Sequence, residues 1–255
     1  MYHSVTFTLP DPNSSSNLWV KNSYTDFHMV PDGRPIIATP DPITNYIDIP
    51  GASGQMDLSE SLTRYPTYSN REGSINFLVL NDYGENDSWQ KRYQSLCKYI
   101  HGRRLELALE DDPDYFYEGR FKVESWESGN DGGYSSVSIG YTLDSYKYWN
   151  TLYERTITAS SSSQRITFNK ANNNVGMMPA VPTFYATNVG ANGITITFRN
   201  QEYYGNQALT HTMNQGSAYY VFQDIIIMDF NGTNTCTLDI TGSGTLKVSL
   251  RNGEL

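Results

Sequence analysis

One stretch of this 255-residue chain carries a helical period; the rest alternates short apolar runs with turn residues, which restricts the chain to a mainly β fold. In the exception, Trp89, Tyr93, Leu96, Cys97 and Ile100 recur at offsets 0, 4, 7, 8 and 11, so they share one helical face. Asp87 or Ser88 is placed to cap its start, with Gln90 three residues after Asp87. Gly102 stands where a left-handed C-terminal cap uses glycine. The stripe reads as packing against a sheet rather than as a binding groove.

Strand signals fill the remainder of the first half. They are Val5–Leu9, Leu18–Val20, Tyr46–Ile49 before Pro50-Gly51, Ser74–Leu80 and Tyr134–Leu143. Arg104–Leu109 alternates with period two, the acidic turn Glu110–Asp114 follows, and Tyr115–Val123 returns as an aromatic strand. That is a long hairpin with a charged, proline-containing tip. Tyr146–Trp149 closes the first domain, and the run Ser160–Ser163 reads as loop, so the boundary falls within 145–165. The expected domains are 1–152 and 153–255. The second is all strand and turn, with strands at Arg165–Phe168, Thr183–Thr187, Gly193–Phe198, Tyr219–Phe222, Ile225–Asp229, Cys236–Ile240 and Gly244–Leu250. Turns come at Asn172–Asn174, Asn188–Gly190 and Asn231-Gly232. Short strands at this spacing predict an antiparallel sandwich.

Composition narrows the function classes. Hydrophobic residues are 38% and charged residues 18%, too polar for a membrane protein and too aromatic for a disordered one. No run approaches the roughly 18 apolar residues of a membrane span, so no membrane insertion is expected. Met1–Ser4 has neither the basic region nor the apolar core of a secretion signal, so the chain is expected to be made in the cytoplasm. The net charge of -9 is uneven: residues 1–154 hold 22 acidic and 12 basic side chains, and residues 155–255 hold 5 and 6. Tight nucleic-acid binding needs clustered Lys and Arg, which are missing. Cys97 and Cys236 fall in different halves and are expected to be free, buried thiols.

No catalytic constellation emerges. His3, His28, His101 and His211 share no metal-ligand spacing, and Gly51-Ala52-Ser53-Gly54 lacks the spacing of a nucleophile elbow. Asp111, Asp112 and Asp114 have the residue types of a glycosidase pair or a calcium site. Adjacent residues in a turn diverge, however, and Pro113 fixes the bend, so a solvated hairpin tip is the first reading and a subunit contact the second. No catalytic, metal or cofactor residue is assigned. Tyr203-Tyr204 and Tyr219-Tyr220 are candidate surface-binding aromatics, since tyrosine stacks on sugars and dominates protein contacts. Period two turns one ring of each pair outward.

The order of several motifs resembles the distal tail protein family of siphophages. They are His3-Ser4, then Tyr46-Ile47-Asp48-Ile49-Pro50-Gly51, Gly54 and Asp57-Leu58-Ser59-Glu60. Tyr68-Ser69-Asn70-Arg71, Ile100-His101-Gly102 and Asp111-Asp112-Pro113-Asp114-Tyr115-Phe116-Tyr117-Glu118-Gly119-Arg120 follow. The last block is the most specific, and the motifs cover roughly residues 3–125. The resemblance implies an N-terminal ring-forming domain with sheet, one helix and an extended hairpin, and a C-terminal antiparallel galectin-like β-sandwich. It implies a non-enzymatic virion component, assembled in the host cytoplasm, whose hexameric ring joins the tail tube protein to the tail-tip hub protein and often to the receptor-binding protein. DNA would pass through the channel without specific binding. Asp111, Asp112, Asp114, Tyr115, Tyr117 and Arg120 become the candidate oligomer-interface hairpin, its strands pairing with a neighbour's sheet edge. The alternative is a carbohydrate-binding module for host-surface attachment.

Overall fold

The structure is a computed structural model and describes residues 2–10, 18–51, 53–80, 89–128, 134–200, 205 and 207–255. It is mainly β and divides into two compact units, Met1–Asn150 and Thr151–Leu255. The first unit contains β1 (Val5–Pro10), β2 (Leu18–Asn22), α1 (Ser23–Phe27), β3 (Met29–Pro31), β4 (Tyr46–Asp48), β5 (Gln55–Asp57) and β6 (Arg71–Leu80). After these come α2 (Trp89–Ile100), β7 (Arg104–Leu109), β8 (Tyr115–Ser128), β9 (Tyr134–Leu143) and β10 (Lys147–Trp149).

Seven of these strands form one antiparallel sheet in the order β2-β1-β7-β8-β9-β6-β3, and β10 pairs with the start of β8. The sheet buries Phe7, Phe77, Leu107, Phe121 and Ile139 against Leu96, Tyr99 and Ile100 of α2. The helical stripe read from the sequence therefore packs as core, and Gly102 ends the helix at φ +74°, where a side chain would be strained. The proposed caps at Asp87 and Ser88 lie outside the described residues. The structure adds α1 to the one helix read from the sequence. Five residues are too few to show a period; α1 forms because the Asn22 side chain accepts bonds from the N–H groups of Tyr24 and Thr25.

The second unit is a sandwich of two four-stranded antiparallel sheets. Its strands are β11 (Tyr153–Ala159), β12 (Gln164–Phe168), β13 (Thr183–Val189), β14 (Ile194–Asn200), β15 (Ala208–Met213), β16 (Gly216–Val221), β17 (Cys236–Gly242), β18 (Gly244–Leu250) and the two-residue β19 (Gly253–Glu254). One sheet runs β11-β18-β13-β16 and the other β12-β17-β14-β15. Between them lie Phe168, Phe184, Phe198, Ile196, Leu238 and Val248, supplied by the alternate positions of each strand. Cys236 is buried in this core, Cys97 is partly buried on α2, and both are free.

One expected strand is corrected. Ile225–Asp229 is irregular, with a single bridge between Ile227 and Ala180. Ile225, Ile227 and Met228 are buried, so the apolar run reported burial correctly. Its backbone bonds go instead to Phe222, Ala180 and Gly176, one local and two distant partners that do not form a ladder. β11 was missed because Tyr153–Ala159 buries only Ile157 and Ala159.

All four tryptophans precede residue 150, so their fluorescence reports on the first unit. Truncating the buried Phe121 to alanine is expected to cost about 3–5 kcal/mol, lowering the denaturation midpoint of the tryptophan signal.

Candidate functional site

The acidic turn between β7 and β8 is held from three sides. Asp111 accepts from the Nδ1 of His3 at 2.8 Å and from the Nε of Arg34 at 2.8 Å, and its side chain is 11% exposed. The His3 hydrogen bond, with Arg34 behind it, outweighs the opposing loss of solvent and holds this carboxyl below the usual carboxylate range. Ser4 and Glu110 exchange backbone and side-chain bonds beside it. Asp112 accepts from the Nζ of Lys147 at 2.8 Å, and that ammonium lies 4.0 Å from the centre of the Tyr115 ring. Burial pulls Lys147 down, but Asp112 pulls it up further. Asn150 caps the carbonyls of Pro113 and Asp114. Arg120 donates to the carbonyl of Gly102 at 2.5 Å, tying β8 to the end of α2. Tyr117 is buried.

Glu110, Pro113 and Asp114 are exposed and Asp111 and Asp112 half-buried, so the tip keeps a solvated side while two of its carboxylates bind their own unit. The tip is an internal staple between the N-terminus, the segment at Arg34 and β10. Its strands already have neighbours on both sides, β7 between β1 and β8, and β8 between β7 and β9. Beyond Arg120, among the described residues, β8 has a paired strand on one side only, β9.

Further unpaired edges lie elsewhere. β4 and β5 pair only with each other, through Tyr46–Asp57, Ile47–Met56 and Asp48–Gln55. Every described residue from Asp41 to Asp57 is exposed, including Ile43, Tyr46, Ile47, Ile49 and Met56. Beyond them Leu62 is 90% exposed. An isolated two-stranded hairpin is marginal in water, and apolar side chains concentrated on one mark a contact surface.

This arm has a built root. Arg71, at the start of β6, is only 3% exposed and has no carboxylate partner among the described residues. Its Nη1 donates to the carbonyl of Ala38 and its Nε to that of Ser145, each at 2.9 Å, and the guanidinium stands 5.5 Å from the Tyr117 ring. Burial lowers its pKa, partly offset by Tyr117 and Tyr141. Ser145 in turn donates to the carbonyls of Tyr68 and Ser69. The Tyr141 hydroxyl accepts from the N–H of Ala38 at 3.0 Å, its ring lying over Gly73, where a Cβ would come within 2.5 Å of the hydroxyl oxygen. Ser69 bonds Asp41, Ile43 bonds Thr67, and both feet of the arm are thereby fixed.

The second unit shows the alternation expected at Tyr219-Tyr220. Tyr220 packs against the core beside Phe222. Tyr219 points outward, 72% exposed, and stacks on Tyr185 across the strand pair at 4.3 Å. Tyr203 and Tyr204 lie outside the described residues. Among the described residues no group of three or more His, Cys, Asp and Glu side chains is placed to hold a metal ion. The histidines have local roles: His3 binds Asp111, His28 closes α1 at φ +53°, His101 accepts from the N–H of Val123, and His211 meets Asp224 at 2.9 Å. No described helix is long and apolar enough to cross a membrane.

No family model matches the chain, and no curated protein does. Solved structures do. The SPP1 Dit (gp 19.1) protein, described as a paradigm of the hub adsorption apparatus in phages infecting Gram-positive bacteria, aligns with a TM-score of 0.56 at 17% identity. The match covers 88% of this chain and 92% of that one. The phage p2 baseplate in its activated conformation aligns over 98% of both chains with a TM-score of 0.44 and 9% identity. The chain thus has the fold of a siphophage distal tail protein across both units.

Arg71→Leu is expected to leave the carbonyls of Ala38 and Ser145 unpaired, costing about 3 kcal/mol. Hydrogen exchange should accelerate across 39–70 while β8 and β9 stay protected. Because Asp111 is depressed in the folded state, its stabilisation is present above an unfolded pKa of about 3.9 and is lost as pH falls through the lower folded value. Asp111→Asn should remove that part of the acid-unfolding curve, measured by circular dichroism.

Proposed function

We propose that this chain is a structural component of a phage tail tip or baseplate, in which six copies close into a ring around a channel for DNA. The likeness to the SPP1 Dit fold along nearly the whole of both chains is the observation that carries this reading. The exposed apolar arm supports it independently, since apolar side chains gathered on one surface hairpin mark a contact with a partner. The ring joins the tail tube protein to the tail-tip hub protein, and the receptor-binding protein attaches to it in the virion. The acidic balance of the first 154 residues suits a channel wall that DNA passes without sticking. The role is assembly rather than catalysis, and the hairpin residues from Asp111 to Arg120 act in it by shaping the subunit.

One observation favours a second activity, attachment to host-surface carbohydrate. The outward Tyr219, backed by Tyr185, presents one aromatic face beside the Lys247–Glu154 ion pair, a combination of ring and charge that suits a sugar ring and its hydroxyls.

Negative-stain images of the purified chain at high concentration should show six-fold annuli. Isolated particles, alone and with the adjoining tail proteins, would overturn the ring. For the second activity, Tyr219→Ala should abolish retention on host-wall polysaccharide; equal retention by the wild type and this variant would remove the sugar platform.

A further inference from the structure

Granting the ring reading, the arm needs a receiving surface. The seven-stranded sheet ends in two edges of different character. At one end β3 is three residues long, its Met29 and Pro31 are buried, and proline offers no N–H. At the other end β2 is five residues long and, among the described residues, pairs only with β1. On β2, Trp19 is 52% and Val20 54% exposed. Beside it, Tyr2 stacks on Tyr24 at 4.4 Å, extending the apolar surface. Of the two edges β2 is the longer and the one with exposed apolar side chains; its Trp19 carbonyl accepts from Tyr99 and its Asn22 N–H donates to Asp26.

Charge pairs the same two surfaces. Residues 39–63 carry the carboxylates of Asp41, Asp48, Asp57 and Glu60 and no basic side chain. Next to β2 lies α2, whose Tyr99 hydroxyl donates to the carbonyl of Trp19. Helix α2 carries Lys91, Arg92 and Lys98 and no acid, within a half of the chain that is otherwise strongly acidic. The acidic, apolar arm is complementary to an apolar edge with a basic helix nearby, where Asp26 of α1 is paired with Lys21 of β2.

We propose that the β4–β5 arm of one copy docks on the β2 edge of the next, adding its strand to the seven-stranded sheet, with the face of the arm that carries Ile47 and Met56 packed on Val20 and its opposite face on Trp19. The contact is heterologous: the two surfaces are different parts of one chain, so each copy gives an arm and receives one. Repeated with a fixed rotation, such a contact closes into a ring, whereas an arm-to-arm contact would stop at a dimer. Backbone bonds along the added strand supply register, and the apolar and charged side chains supply selectivity.

The test uses two full-length variants and native mass spectrometry. The arm variant is Ile47→Asp with Met56→Asp; the edge variant is Trp19→Asp with Val20→Asp. The wild type is expected to form the closed oligomer, and each variant alone a monomer. An equimolar mixture should form a heterodimer and nothing larger, because one working arm meets one working edge. Raising the salt should weaken that heterodimer. An edge variant that assembles as the wild type does would overturn the β2 acceptor and leave the ring standing. A mixture without heterodimer, although both variants keep their far-ultraviolet circular dichroism, would do the same. A wild type that stays monomeric with its tail partners would overturn ring and acceptor together. If the edge variant fails to fold, Val20→Cys with Met56→Cys in one chain gives the same decision: oxidation should link successive copies into a covalent ladder, and a chain that remains uncrosslinked overturns the contact.

Discussion

A buried guanidinium held by backbone carbonyls organises the root of the exposed arm. Arg71 is costly to bury, and the cost is offset by two backbone carbonyls and an aromatic face rather than by a counter-charge. Those carbonyls belong to Ala38 and Ser145, on opposite sides of the excursion that carries β4 and β5. Tyr141 and Ser145 repeat the same linkage with hydroxyl groups. The arm is thus exposed along its length yet fixed at its feet. A flexible arm would lose conformational entropy on docking, and a fixed root reduces that loss.

The acidic tip of the β7–β8 hairpin solves a different problem. A turn with three aspartates in four residues repels itself unless cations reach it. Arg34 and Lys147 do so from segments 77 and 35 residues away, and His3 adds a hydrogen bond from 108 residues away. The tip therefore binds its own unit together. Asp111 and Asp112 are paired within the unit, while Glu110 and Asp114 stay exposed.

Two surfaces of unlike geometry on one unit are what a closed ring requires. The arm is a two-stranded element with free edges, and β2 is the open end of a larger sheet. Sheet edges usually carry charges or proline against unwanted pairing. β3 follows that rule with Pro31, while β2 exposes Trp19 and Val20. The difference between the ends gives the sheet a direction.

Local pattern alone determined most of the elements. Period two marked β7, β9 and β18 to within a residue, period 3.6 marked α2, and Gly102 marked its end. Those signals are legible because burial on one face constrains neighbouring positions, whatever the rest of the chain does. Only the tertiary structure decided which edges stay open, because pairing depends on strands far apart in sequence: β1 covers β7 from a hundred residues away. The role of Arg71 was equally hidden. An arginine at the start of a strand reads as a solvated charge, and its burial follows from Ala38, Tyr117 and Ser145 converging on it, three positions that no local spacing connects.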